Sequence, residues 1–542
     1  MGIPHLTHSL SPYGDKVVLP QNPANHENAI IDGPSLAYHV FYVCIARRTG
    51  PRNALEAAPT YQELGQAAVD WLEQIEQYGL KMYVANTGPF RQNTRLSRLQ
   101  SYANQLVTFK ALNKDDLPSR MENTSASKTD VLSAVISSNR LKALPAPPFL
   151  VPAVIEMLLE SRYSSLVAVI PGEADAYCAE AARQHGGVIF TSDSDLLVHD
   201  LGKSGKVILF RDLDTIHLPS RGKCLKTQEY HPAGIAKRFE LPNLVKLAFF
   251  MSQDHHKSLT ENIRLAGKDT PMSAGFAEFA EEYGSLPKLS KLAMVETIDK
   301  PNVSKILARL DPRISEIVHL VRVKENQEAP SDLQDSDNLN MYLPYLIDDP
   351  TRTSAWRSGV SIRAQAYSLL RLLNSSITQV TEFERKGTRV AGTTVELDLT
   401  SSAVALLEDC VKSLKDDLGQ HSSLSKAARW RAVATRHVCQ SNLDNEKPPP
   451  LSSDINRLTL VNLLNDLPSL RELLDEKTSR DNSEIEAARA AVLSTLQSLG
   501  ITQDAEPLSK KKKKRKKKGE HTGERTPPGV AWRSNNMFSN LS

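Results

Sequence analysis

The chain has 542 residues, room for roughly two to four domains, and its 40% hydrophobic and 24% charged residues suit a globular protein with a sizeable core. No apolar run approaches the roughly 18 residues that span a bilayer, and the opening MGIPHLTHSLSPYGDK has no charged-then-apolar leader, which disfavours membrane and secretory classes. The formal charge is +3, but Lys510–Lys518 (KKKKKRKKK) alone carries nine positive charges, so the rest of the chain is net acidic and must bind any polyanion through local patches.

The pattern along residues 1–110 alternates strand and helix. AIID (29–32) reads as a short buried strand ending in Asp32, followed by helical spacing in PSLAYHVFYVCIARR and again in TYQELGQAAVDWLEQIEQYG, with KMYVA (81–85) as a second strand. A helix over RQNTRLSRLQSYANQLVTFK leads into the polar stretch NKDDLPSRMENTSASKTD and then PAPPF, so 111–150 reads as a flexible, arch-like insertion. Over 151–260 the alternation resumes: strand LVAVI, helix EADAYCAEAARQH with Gly186-Gly187 as its stop, strands VIFTS and KVILF, and an apolar helix ending at Asp254. The expected fold is α/β, a mostly parallel sheet with helices on both faces. Residues 261–502 read as an all-α C-terminal region, and 503–542 as a disordered basic tail.

Chemistry concentrates at the strand ends. Glu173 and Asp175 follow one strand, Asp193 and Asp195 follow another, and Asp32 ends a third. In open parallel sheets the carboxyl ends of strands line the ligand crevice, and like charges gathered there suit Mg²⁺ or Mn²⁺, hard ions that take carboxylate oxygens. The bland alternative is that each acid caps a helix, where the macrodipole favours it. Three loaded strand ends, two of them doubly, favour one or two metal ions, with Asp254 as a further ligand. Two ions about 3.5–4 Å apart activate water and stabilise a leaving oxygen in phosphodiester hydrolysis. No Walker A loop or dinucleotide fingerprint is present, and the scattered cysteines (Cys44, Cys178, Cys224, Cys410, Cys439) form no CxxC, which argues against a common zinc site.

The motifs MGIPHL, IIDGPSLAYHV, GEADAYCA, TSDSDLL and LAFFMSQD, in that order, resemble those of the XPG/flap-endonuclease superfamily, and within it the Asteroid-type branch with its fungal XPG-domain members. The resemblance implies a PIN-like fold over 1–260, made of an N-terminal half (1–110) and an internal half (151–260) around an inserted helical arch, with an Asteroid-like region beyond. It implies a metal-dependent, structure-specific endonuclease acting on DNA or RNA, with a role in DNA repair, and places Asp32, Glu173, Asp175, Asp193, Asp195 and Asp254 on metal positions. Two departures stand out. Where active relatives end the second strand in Asp-Gly, this chain reads YVANTGPF, with Asn86 (or Ala85) at the degenerate position. After Asp254, HHKSLTENIRLA lacks the glycine-rich hairpin that grips duplex DNA. The alternative reading is a catalytically weakened scaffold that binds nucleic acid or protein.

Arg91, Arg95 and Arg98 share one helical face at i, i+4, i+7 and form a candidate phosphate clamp, against the alternative of a solvated basic face. The run Lys510–Lys518 reads as a nuclear signal and a salt-dependent nucleic-acid tether, with a cytoplasmic location otherwise. The helical C-terminal region is a candidate protein-partner surface. His255-His256 reads as an exposed helix end, Cys178 as a small core residue and the four tryptophans as core or helix-packing residues.

Overall fold

The computed structural model describes residues 3–21, 27–48, 57–88, 92–112, 132, 139–171, 174–220, 222–254, 256–268, 274–283, 339–346, 353–372 and 374–400, with isolated positions at 313–321 and 405–412. A short helix α1 (Leu6–Leu10) precedes β1 (Asp15–Pro20), β2 (Glu27–Asp32), α2 (Gly33–Ala46), α3 (Tyr61–Glu76), β3 (Leu80–Gly88), α4 (Gln92–Leu112), α5 (Asn139–Lys142) and α6 (Leu150–Glu160). Then come β4 (Val167–Pro171), α7 (Ala174–His185), β5 (Gly187–Thr191), β6 (Gly205–Leu209), β7 (Asp214–Leu218), β8 (Gly222–Tyr230), α8 (Pro232–Arg238), α9 (Val245–Gln253), α10 (Leu259–Ala266) and α11 (Ala274–Glu282). The last described elements are β9 (Leu339–Tyr342), α12 (Val360–Ser368), β10 (Gln379–Lys386) and β11 (Arg389–Glu396).

Eight strands form one sheet in the order β1-β8-β6-β5-β2-β3-β4, with β7 also paired to β8. The stretch β6-β5-β2-β3-β4 is parallel throughout. The chain winds outward from β2 through β3 to β4, then returns to the other side of β2 with β5 and β6. The strand order therefore reverses between β2 and β5, the switch point where open α/β sheets bind ligands. β8 is antiparallel to β6, β1 and β7.

The parallel strands bury both faces. Ala29, Ile31, Val188 and Phe190 point into one core, with α2, α3 and α6; Ile30 and Ile189 point into the other, with α7 and α9. That is the two-residue period of a strand covered on both sides. Trp71 is fully buried in the first core, edge-on to Phe190 and Phe210. α3 starts at a reciprocal capping box between Thr60 and Glu63, and Arg48 clamps the same Glu63 carboxylate at 2.6 and 2.7 Å. Gly187 opens β5 with φ +109, and a Cβ there would stand 2.4 Å from the Asn28 carbonyl of β2, so only glycine lets the two strands meet in this register.

The α/β expectation holds for the sheet and its two helical layers. The all-α expectation for 261–502 needs correction: β9, β10 and β11 form a three-stranded sheet in the order β11-β10-β9, with α12 beside it. The antiparallel strands β1, β7 and β8 are additions to the sequence reading, and β3 runs beyond 85 to Gly88. Among the described residues no helix is long and apolar enough to cross a membrane.

Candidate active site

The site is built from the ends of β2 and β5. Asp32 closes β2 and is the N-cap of α2: its Oδ1 accepts the Ser35 N–H at 3.2 Å, with Pro34 beside it in the first turn. The Thr191 hydroxyl at the end of β5 donates to Asp32 Oδ2 at 2.7 Å. The same hydroxyl oxygen accepts the Asp193 N–H at 2.9 Å. The Ser35 hydroxyl stands 3.2 Å from the Thr191 hydroxyl, within hydrogen-bond distance. Asp193 Oδ1 accepts the Asp195 N–H at 3.0 Å, and Asp195 Oδ1 accepts the Ile3 N–H at 2.8 Å. One continuous chain of hydrogen bonds thus joins the N-terminal segment, the turn after β5 and the start of α2.

Asp32 is only 3% exposed. Burial pushes its carboxyl above the usual range against the lowering effect of Ser35 and Thr191, and the nearby charge of Asp193 pushes it the same way. Among the described residues no lysine or arginine pairs with it. Asp175 lies in the first turn of α7. Burial holds the Cys178 thiol well above its ordinary value, and Asp32 and Asp175 raise it further, so both carboxylates lie within electrostatic reach of that one buried sulfur. Cys178 is a small core residue, as its place on α7 suggests.

The other sequence-predicted positions fall differently. Glu173 and Arg91 lie outside the described residues, as do Lys510–Lys518. Asp254 is the C-cap of α9, and its contacts run to its own loop: the His256 N–H at 3.0 Å and Lys257 Nζ at 3.5 Å, with the backbone bond the main cause of its lowered carboxyl. The structure does not join it to the strand-end acids. On β3 it is Ala85 that stands level with Asp32, while Asn86 is one step further, opposite Val169 of β4. Arg95 and Arg98 lie on α4, and Arg98 is exposed and within electrostatic reach of Tyr38. Tyr38, on α2 six residues after Asp32, is 46% exposed.

The donor set is all carboxylate and hydroxyl oxygen, the chemistry of a hard divalent cation. A buried Asp32 beside Asp193, with no cationic side chain paired to it among the described residues, fits such an ion, because a cation would offset the burial and the Asp193 charge that raise its carboxyl. Among the described residues no three His, Cys, Asp or Glu side chains gather closely enough to enclose an ion. Thr191 and Ile3 are the site residues that the sequence reading missed. The signal for Thr191 was its place inside TSDSD, directly at the strand end.

Residues 146–397 match the family model described as XPG domain containing. Asteroid homolog 1 of Schizosaccharomyces pombe is 22% identical over 461 residues, covering 82% of this chain and 73% of the relative. Among solved structures, human GEN1 in complex with Holliday junction DNA matches 61% of this chain and 81% of its own at 12% identity and a TM-score of 0.31. The catalytic core of Rad2 in complex with DNA substrate matches 55% of this chain and 95% of its own at 12% identity and a TM-score of 0.26. The family match begins at Ala146 and runs through β4–β11, so Asp175, Asp193, Asp195, Asp254 and the C-terminal sheet lie inside it and Asp32 before it.

Proposed function

We propose that this chain, whose residues 146–397 match a family model described as XPG domain containing, is a divalent-metal-dependent nuclease that hydrolyses phosphodiester bonds in DNA or RNA. The observation that carries the reading is the hydrogen-bonded series Asp32–Thr191–Asp193–Asp195 at the switch point of the sheet. Asp32 and Asp193, with Asp175, Asp195 and Glu173, would hold Mg²⁺ or Mn²⁺. When bound, the ion would supply a nucleophile from water at neutral pH and stabilise charge on the leaving oxygen.

The chain's own residues do the positioning. Thr191 holds the Asp32 carboxylate and Asp193 in one frame, and Ile3 holds Asp195. Tyr38 offers an exposed aromatic face on which a base can stack, and Arg98 nearby offers a charged fork for a phosphate. The Lys510–Lys518 run adds a nuclear address and a sequence-independent tether.

A second reading, a weakened nuclease fold that binds without cutting, is favoured by Ala85, level with Asp32 on β3, and Asn86 after it, neither of which brings a charge. The first test is ion binding. At about 100 times its Kd an ion should stabilise the wild type by about 2.7 kcal/mol, read as a rise in melting temperature. Asp193→Asn should abolish that rise. An equal rise in Asp193→Asn would place the ion elsewhere and remove the basis of the proposal.

A further inference from the structure

The C-terminal sheet reaches across to α4, the helix that carries Arg95 and Arg98. Ala103, Leu106 and Phe109 bury one side of α4 in the core beneath α2, α3 and α6, and Tyr345, which follows β9, is buried in that same core. The rings of Tyr102 and Tyr345 lie 5.7 Å apart at 56°. The Tyr102 hydroxyl donates to the Ala146 carbonyl. Gln100 Oε1 accepts the Val390 N–H at 3.3 Å, and Gln100 Nε2 donates to Asn104 at 3.4 Å. Val390 lies on β11, an edge of the small sheet, so this N–H answers to α4 rather than to another strand.

The spacing gives the contact its consequence. Arg98 and Tyr102 stand four residues apart on α4, on one stripe of the helix. Residues four apart differ by only about 40° around an α-helix, so fixing Tyr102 fixes the rotation at which Arg98 stands. We propose that Tyr345 and the β11 edge form a positioning latch that sets the rotation of α4 and so aims Arg98. The role of Arg98 in holding nucleic-acid phosphate rests on the proposed function; the latch itself does not. Gln100, Tyr102, Tyr345 and Val390 are positioning residues.

The test uses the full chain in four forms: wild type, Gln100→Ala, Tyr345→Ala and Tyr345→Phe. Hydrogen exchange is followed by mass spectrometry, and affinity is read from the anisotropy of a labelled single-stranded oligonucleotide. The expected result is exchange in α4 faster on the order of tenfold in Tyr345→Ala, unchanged exchange in α3 and β5, and rescue by Tyr345→Phe, which keeps the ring. Gln100→Ala, a surface change that does not endanger folding, should loosen α4 by a smaller factor. Oligonucleotide affinity should fall in Tyr345→Ala, and adding Tyr345→Ala to Arg98→Ala should cost little more than Arg98→Ala alone.

Unchanged α4 exchange in both Gln100→Ala and Tyr345→Ala would overturn the latch. Faster exchange throughout the fold would also overturn it, making Tyr345 a general core residue. A loosened α4 with wild-type affinity would overturn the aiming role. A wild type that binds no oligonucleotide would count against the proposed function, while the exchange data would still decide the latch.

Discussion

The Thr191 hydroxyl at the end of β5 donates to Asp32 Oδ2 at the end of β2 across 2.7 Å. It ties the two strands together at the point where the sheet order reverses, and its oxygen also receives the Asp193 N–H. Thr191→Val keeps the shape and removes both interactions. An outer partner that orients a metal-binding carboxylate is worth about 10–100-fold in ion affinity. Thr191→Val should therefore weaken Mn²⁺ affinity by about that factor in a thermal-shift titration and cost about 1–3 kcal/mol of stability. Thr191→Ser should behave as wild type. Wild-type ion affinity in Thr191→Val would remove Thr191 from the site.

Asp32 carries a stability cost with a definite sign. Its carboxyl is raised in the folded state because burial disfavours the charge, and Asp193 adds to this. A folded value above the unfolded one means that the unfolded state gives up its proton first, so stability is lost as pH rises from the ordinary carboxylate range through the raised value. Asp32→Asn should accordingly raise the melting temperature of the ion-free protein at pH 7–8, with a smaller gain near pH 4. The same variant should lose the stabilisation by Mg²⁺ or Mn²⁺. A destabilised Asp32→Asn at neutral pH would show that the negative charge is satisfied without an ion.

The C-terminal sheet carries a buried ion pair that the sequence pattern concealed. β10 reads QVTEFERK, and its buried face presents Val380, Glu382 and Glu384, so acids stand where a half-buried strand normally shows apolar residues. Arg363 meets Glu382 at 2.5 and 2.9 Å, the Tyr367 hydroxyl donates to the same carboxylate at 2.7 Å, and Arg357 pairs with Glu384 at 2.6 Å. Removing one partner of a buried pair leaves an uncompensated charge, at a cost of about 3–5 kcal/mol. Arg363→Met should lose about that much in chemical denaturation, and combining it with Glu382→Leu should recover a large part. A loss under about 1 kcal/mol in Arg363→Met would mean that water reaches Glu382.

The site was legible in proportion to how local its chemistry is. Asp32, Asp193 and Asp195 announced themselves as acids placed directly after apolar runs, and the parallel sheet followed from the same alternation of strand and helix. Thr191 did not, because its role depends on a partner 159 positions away, and a threonine at a strand end is unremarkable without that partner. Ile3 contributes a backbone N–H, which no side-chain pattern encodes. β10 does not show the pattern of a half-buried strand because its buried positions hold Glu382 and Glu384, whose partners Arg363 and Arg357 lie outside the strand. β8 is hard to read for a related reason: polar and charged residues run along its length, as in antiparallel strands, while β1 offers only the short apolar run Val17–Leu19 after Asp15 and Lys16.

Cleavage itself is the most direct measurement. Labelled single-stranded, flap and hairpin oligonucleotides of DNA and RNA are incubated with the full chain, with Mg²⁺, Mn²⁺ or EDTA, beside Asp193→Ala purified in the same way. The expected result is ion-dependent cleavage of at least one substrate, slowed in Asp193→Ala on the order of 10³-fold, about 4 kcal/mol of barrier. No cleavage of any substrate by a wild type that binds the ions, or equal cleavage by Asp193→Ala, would contradict a nuclease centred on the ends of β2 and β5.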